Sequence, residues 1–244
     1  MSEESRPEGA SGPAAATPSG TATAHRTDEA FGSERAKAFI DAVVAIALTL
    51  LILPLLDAIT SEIGAGDGPR PDTASWIGEH FPLLISFVIS FVVIAMFWIG
   101  HHRTFARVHR VTSPLLWLAM AWLITIVWLP VATALIDEMS DDDVLAKALY
   151  IGAMALTSFV ELCQLGYLRR HPALHDFDDL ALRRSMSVAL AMTLLFLLSL
   201  LLAALVPAIG YFALFLLALT NPVRLLLGRM LGVPPSADHA RSGR

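Results

Sequence analysis

The stretch that decides the fold is AFIDAVVAIALTLLILPLLDAI, residues 38–59. Its only charged side chains are Asp41 and Asp57, and nearly every other residue in it is apolar. A helix needs about 20 such residues to cross the roughly 30 Å hydrocarbon core of a bilayer. The stretch therefore predicts a transmembrane helix.

Further apolar stretches of the same kind follow along the chain. Only 16% of the residues are charged, against about 25% in soluble domains, and the charges lie between the apolar stretches. We place further helices at residues 81–100, 114–136, 144–168, 185–206 and 207–227. Pro207 separates the last two, because proline costs a helix one backbone hydrogen bond; one long kinked element is the alternative. The predicted fold class is an all-α polytopic membrane protein with six transmembrane helices per subunit.

The basic residues predict that both ends of the chain are cytoplasmic. Lys and Arg concentrate in short loops on the cytoplasmic side of a membrane. With six helices and the N-terminus inside, Arg70 and Lys147 are the only two of the 17 Lys and Arg residues that fall outside. The outside loops are acidic, which would concentrate cations at a pore mouth or would merely keep the loops soluble.

The ends of the chain differ in composition from its centre. Residues 1–33 are rich in Ser, Thr, Ala, Gly and Pro, and such a segment buries too little surface to offset its ordering entropy. We predict disordered cytoplasmic tails at residues 1–33 and 231–244, around a transmembrane domain at residues 34–230. The start of the chain lacks the apolar region of a signal peptide.

No motif indicates catalysis or a cofactor. The single cysteine, Cys163, excludes an intrachain disulfide, and there is no P-loop, zinc-ligand spacing, HExxH or GxSxG. We therefore expect no enzyme, no cofactor, no resident metal and no nucleic-acid partner.

Ionisable groups inside the apolar stretches are candidates for function, because a charge inside a bilayer is costly. Asp41 lies one turn into the first helix and Glu161 lies late in the fourth. Asp41 lies about 110° on a helical wheel from the centre of one apolar stripe, so it should face a neighbouring helix. That stripe carries one hydroxyl, and by pattern alone it would pack against helices or lipid; it consists of Ala42, Ile46, Thr49 and Leu53.

Other polar features sit near the inner membrane face. Trp98, His101 and His102 end the second helix, either as an interfacial belt or as a polar network that holds Asp41 and responds to pH. Glu161 either pairs inside the bundle, on one helix face with Gln164, or lies at the interface. Pro54 frees a backbone carbonyl near Leu50, which predicts a kink beside Thr49.

Two segments together resemble a known family. Residues 35–54, RAKAFIDAVVAIALTLLILP, resemble the first-helix signature of the transmembrane protein 175 family of lysosomal-type potassium channels, in its bacterial branch. That signature is an arginine, three residues, Phe-Ser-Asp and an Ala/Ile/Thr-rich helix ending in Leu-Pro. The segment from Trp98 through His101 and His102 to Phe105 resembles a second signature, and the likeness extends over about residues 35–230.

The resemblance implies a homotetramer in the bacterial plasma membrane, with the first helices lining a potassium-conducting pore through the lipid bilayer. It makes Ile46 and Leu53 the hydrophobic constriction and Thr49 the selectivity hydroxyl, near which potassium binds transiently. It also implies a structural network that fixes the helix geometry, drawn from Arg35, Asp41, Trp98, His101 and His102.

Two positions depart from the family pattern. Ile40 stands where the family has serine, and Ala45 stands where a hydroxyl is common. The second departure implies weak discrimination between ions, since only Thr49 would offer a pore hydroxyl. The alternatives are a proton-coupled secondary transporter that uses Asp41 and Glu161 as carriers, and a scaffold that transports nothing.

Overall fold

The computed structural model describes residues 21–64, 72–140 and 143–205, together with residue 223. Within these ranges the chain forms helices joined by short connections, and a 3-10 turn, Pro172–Leu174, precedes the last described helix. The α-helices are α1 Thr21–Leu50, α2 Leu53–Gly64, α3 Thr73–Glu79, α4 Phe81–Phe105, α5 Ser113–Glu138, α6 Val144–Arg170 and α7 Asp179–Leu205.

The described helices confirm an all-helical membrane fold. Five stretches are long and apolar enough to cross a membrane, and they coincide with the first five predicted helices: Ser33–Glu62, Phe81–Phe105, Ser113–Glu138, Val144–Arg170 and Asp179–Leu205. The first of them joins α1 and α2. The sixth predicted helix, at 207–227, lies outside the described residues apart from residue 223, and so does the predicted tail at 231–244.

The first helix begins earlier along the chain than the apolar stretch does. α1 starts at Thr21, inside the predicted tail at residues 1–33, of which residues 1–20 lie outside the described part. Residues 21–37 contain several Ala, Glu, Arg and Lys, which are good helix formers. They therefore continue the backbone of the membrane helix toward the N-terminus.

Pro54 breaks the first membrane stretch into two helices. Because proline has no N–H, it leaves the Leu50 carbonyl without its usual helical donor. The N–H of Ile52 bonds instead to the Thr49 carbonyl at 3.3 Å, and the N–H of Leu56 resumes the helical pattern on the Ile52 carbonyl at 3.1 Å. The break predicted from Pro54 therefore lies at residues 51–52, close to Thr49.

The core of the bundle is centred on α5 and α6. Trp122, Ile126 and Leu129 of α5 are fully buried, and α6 packs against both α5 and α7. α1 packs against α5 and α4, and it does so with one side only. That buried side consists of Ile40, Val44, Ala47 and Leu51.

Buried hydroxyl groups also join the helices. Thr133 of α5 donates to Ser90 Oγ of α4 at 2.9 Å, and the Ser90 hydroxyl lies 3.0 Å from that of Tyr150 on α6. In a second such contact, Thr157 of α6 donates to Thr125 of α5 at 2.9 Å. Hydrogen bonds of this kind between membrane helices contribute about 0.6 kcal/mol each on average.

The two ends of the bundle carry opposite charge. The α4–α5 and α6–α7 connections pair with each other: His109 N–H donates to the Leu174 carbonyl at 2.9 Å and Asp176 N–H to the Arg107 carbonyl at 3.0 Å. We call this the basic end, after Arg103, Arg107, Arg110, Arg169 and Arg170. The acidic end is opposite and carries Glu62, Glu79, Asp137, Glu138 and Asp143.

Asp72 begins α3 at the acidic end of the bundle. Its side chain accepts a hydrogen bond of 2.7 Å from the backbone N–H of Ser75. This bond favours the charged carboxylate, so it lowers the pKa of Asp72 below its usual value. α3 therefore keeps its N-terminal cap at neutral pH.

We expect Thr133→Val to lower the melting temperature of the protein in detergent. The substitution keeps the shape of the side chain and removes its hydrogen bond to Ser90, at a cost of about 0.6 to 1.7 kcal/mol. The control is Thr60→Val, because the exposed Thr60 hydroxyl bonds to the Asp57 carbonyl of its own helix. Equal melting temperatures of the two variants would show that the buried hydroxyls do not hold α4 and α5 together.

Candidate functional site

The outward side of the first membrane stretch carries the stripe singled out in the sequence. Ile46 is 58% exposed and Leu53 is 48% exposed, whereas Ile40 and Val44 on the opposite side are each 1% exposed. Ala42 and Thr49 are exposed as well. Packing among the described residues therefore does not account for the stripe.

Thr49 places an oxygen atom on this apolar stripe. Its hydroxyl donates to the Ile46 carbonyl at 2.7 Å. A hydroxyl that donates its proton keeps lone pairs that can accept a bond or coordinate a cation. Because helical residues rise by about 1.5 Å each, the Cα atom of Thr49 lies about 4.5 Å along the axis from that of Ile46. The stripe thus offers a cation ligand between two bulky apolar side chains, Ile46 and Leu53.

Asp41 anchors α1 to α4. The indole N–H of Trp98 donates to Asp41 Oδ1 at 2.9 Å, and His102 Nδ1 lies 3.5 Å from the same oxygen. Trp98 and His102 are one turn apart on α4, with ring centroids 5.4 Å from each other. In the structure, Asp41 therefore contacts the second membrane helix through Trp98 and His102.

The two adjacent histidines have different environments. His101 is 1% exposed and stacks between Phe105 and Trp122, with ring centroids at 4.3 Å and 4.0 Å. Its Nε2 has no hydrogen-bond partner among the described residues. His101 therefore packs between α4 and α5, and His102 is the histidine that contacts Asp41. Arg35 lies exposed on α1, N-terminal to Asp41.

Glu161 lines a separate cavity of about 580 Å³ between α4, α6 and α7, near the basic end. A Cβ atom at Gly100 would come within 3.2 Å of Glu161 Oε1, so a residue without a side chain lets α4 pass close to this carboxylate. Gln164 is buried and donates to the Leu118 carbonyl on α5 at 3.1 Å. Glu161 and Gln164 therefore have different surroundings.

Helix α4 lies between the two membrane carboxylates. Asp41 meets the face that carries Trp98 and His102, while Glu161 meets Gly100. At about 100° per residue, position 100 lies roughly 160° to 200° around α4 from positions 98 and 102. Asp41 and Glu161 do not share one site, so the arrangement does not favour a transporter that passes a proton between them.

The sequence predicts acidic loops at the acidic end of the bundle, but it does not predict the cavity found there. This cavity measures about 870 Å³ and is lined from three helices by Asp57, Glu62, Glu79, Asp137 and Glu138, among others. Because the sequence places acidic residues at each of these helix ends, it predicts the negative charge of the cavity. The convergence of these ends depends on tertiary packing, which the spacing along the chain does not encode.

These helices define a multi-pass helical membrane protein whose first helix leaves one face uncovered by the other described helices. Residues 35–130 match the family described as endosomal/lysosomal potassium channel TMEM175. This match confirms the resemblance to the TMEM175 family that residues 35–54 and 98–105 predict. The matched region contains the stripe, the kink and the Asp41 contacts.

Curated relatives align over part of their length. A potassium channel of Streptomyces collinus is 35% identical over 113 residues, which are 46% of this chain and 50% of that protein. The endosomal/lysosomal proton channel TMEM175 of Bos taurus is 31% identical over 88 residues, which are 36% of this chain and 18% of that protein. The aligned region thus spans half or less of these relatives.

Solved structures share the fold over a longer region. A lysosomal potassium-selective channel TMEM175 homologue from Chamaesiphon minutus superposes with a TM-score of 0.59 at 20% identity, over 80% of this chain and 98% of that chain. A variant of the potassium channel MtTMEM175 gives a TM-score of 0.56 at 19% identity, over 81% and 93% of the two chains. The similarity of fold therefore extends beyond the matched residues 35–130.

We expect Trp98→Phe to destabilise the protein by about 1 to 2 kcal/mol, because the Asp41 carboxylate loses a donor while an aromatic ring is kept. The measurement is the melting temperature in detergent, with Trp117→Phe as the control, since Trp117 is 73% exposed. Combined with Asp41→Ala, the two losses should be less than additive. Full additivity would mean that the two side chains are not energetically coupled.

Proposed function

We propose that this protein is a potassium-preferring cation channel, formed as a homotetramer whose first helices surround a central pore. The observation that carries the proposal is the exposed stripe on α1 and α2, which the other described helices do not cover. It lies inside the region that matches the TMEM175 family. Potassium channels among the relatives and the structural neighbours support the same activity.

Ile46 and Leu53 form the constriction in this proposal. Rings of apolar side chains that narrow a pore expel water, and an ion cannot pass until the ring widens. Both side chains are large and exposed on the stripe, and Leu53 is the first residue of α2, directly after the break between the two helices. A small change in the direction of α2 relative to α1 would move one ring without the other.

Thr49 supplies the ion ligand in this proposal. A ring of hydroxyl oxygens replaces part of the hydration shell of potassium, which binds there only in transit. Ala45, also exposed on this side of α1, adds no oxygen, so the discrimination between potassium and sodium is weak. Conduction needs no catalytic residue, cofactor or resident metal, which agrees with a family of channels rather than enzymes.

Asp41 and its partners hold the pore helix in place. The Asp41 carboxylate ties α1 to α4 through Trp98 and His102, and His101 supports the same turn of α4 from the core. Arg35 completes the network from the preceding part of α1. Where the family has a serine, Ile40 is buried in the core, so apolar packing replaces a hydroxyl in this chain.

The charged ends set the orientation in the membrane. We assign the basic end to the cytoplasm, because Lys and Arg concentrate on that side. A sixth helix at residues 207–227 then returns the C-terminus to the cytoplasm of a bacterial cell, with the chain in its plasma membrane. The acidic end faces outward, where its carboxylates raise the local concentration of cations.

We expect Ile46→Asn to increase potassium flux severalfold in liposomes that contain the purified full chain. A polar side chain at the narrowest ring keeps the pore wet and lowers the barrier to ions. The control is Ile124→Asn, because Ile124 of α5 is 70% exposed but lies on another helix. Unchanged flux in the Ile46 variant, or a particle of one chain in detergent, would contradict the proposal.

We expect Thr49→Val to lower the preference for potassium over sodium while conduction persists. Valine keeps the shape of the side chain and removes the only hydroxyl on the stripe. The measurement is the reversal potential with potassium on one side of a bilayer and sodium on the other. Thr60→Val serves as the control for removing a threonine hydroxyl elsewhere, and an equal shift in both variants would exclude Thr49 as the selectivity residue.

A further inference from the structure

Three metal-ligating side chains meet at the acidic end, away from the stripe. Glu62 ends the first membrane stretch, while Glu79 and His80 join α3 to α4. One ligand atom from each of these side chains lies within 4.8 Å of the others. We propose that Glu62, Glu79 and His80 bind a divalent transition-metal ion of the zinc type and that the ion ties α2 to the start of α4.

The orientation of His80 is the first argument for this site. Its Nδ1 lies 3.1 Å from the Trp76 carbonyl, and because a carbonyl only accepts, Nδ1 must be the protonated donor. The ring also stacks on Trp76, with centroids 4.5 Å apart. In the neutral ring, Nε2 then carries a lone pair directed toward Glu62. Histidines that bind metals commonly donate their other ring nitrogen in this way.

The spacing of the ligand atoms is the second argument. His80 Nε2 lies 3.5 Å from Glu62 Oε1, which is longer than the 2.7 to 2.9 Å that is usual for a charge-assisted hydrogen bond. Two ligands about 2.1 Å from a tetrahedral zinc ion are about 3.4 Å apart. The separation between His80 Nε2 and Glu62 Oε1 therefore matches the spacing of two ligands on one zinc ion.

The types of ligand select the class of ion. Imidazole nitrogen suits zinc and its first-row neighbours, whereas magnesium and calcium prefer sites made of oxygen ligands alone. Two carboxylates balance the charge of a divalent ion, and a water molecule fills the fourth position of a tetrahedral site. The nearby carboxylates of Asp57, Asp137 and Glu138 line the same cavity and attract cations toward it.

The site would tie α2 to the start of α4, which the chain itself joins through residues 65–80. Glu62 is near the end of α2, and His80 immediately precedes α4. A bound ion would fix the distance between the outer ends of the first and second membrane stretches. Binding at these residues does not depend on whether the protein conducts potassium, so it can be measured without any flux assay.

The test uses the full chain in detergent after chelator treatment, with zinc chloride as the probe. We expect calorimetric titration to show one zinc ion per chain and the melting temperature to rise with zinc. Glu62→Gln, Glu79→Gln and His80→Gln should each weaken zinc binding by at least about tenfold. The controls are Glu138→Gln, which lines the same cavity, and His171→Gln, since His171 is exposed after α6.

Cobalt chloride gives a second readout that does not depend on how well a variant folds. We expect the unaltered protein to show the intense visible absorption of four-coordinate cobalt, and zinc to abolish it. The proposal is overturned if zinc binds equally well to the Glu62, Glu79 and His80 variants. It is also overturned if zinc neither binds nor raises the melting temperature of the unaltered protein, because the cluster is then only an ion pair between His80 and Glu62.

Discussion

The one-sided packing of α1 is the constraint on which the rest of the structure depends. Ile40, Val44, Ala47 and Leu51 are buried against the bundle, while the other side of the same helix exposes bulky apolar groups. In a bilayer, neither side of α1 is exposed to water, so the hydrophobic effect does not drive helices together. Association between helices therefore depends on shape and on polar contacts. The Asp41 contacts and the break at Pro54 both set how α1 presents its free side.

Much of the architecture follows from the sequence because a bilayer imposes a simple length rule. Apolar stretches of about 20 residues must be helices, since no water is present to satisfy other backbone conformations. The five described membrane-length helices lie where this rule places them. The start of α1 at Thr21 was not predicted, because composition indicates whether a segment can bury surface but says little about local helix propensity.

The candidate site was predictable in its pattern but not in its contacts. The wheel separates Asp41 from the stripe, and the structure places Asp41 against α4, as that separation requires. Which of two adjacent histidines reaches Asp41 depends on the rotation of α4, and that rotation is set by the packing of His101 on Trp122. The placement of Glu161 opposite Gly100 likewise depends on how closely two helices approach.

The paired connections at the basic end restrict where the bundle can bend. Val108 forms a β-bridge with His175. The α4–α5 connection is therefore joined to the α6–α7 connection at the basic end. The first membrane stretch is not part of these two connections, and it carries its own break next to Pro54. We therefore expect shape changes of low energetic cost in the first membrane stretch and at the acidic end rather than at the basic end.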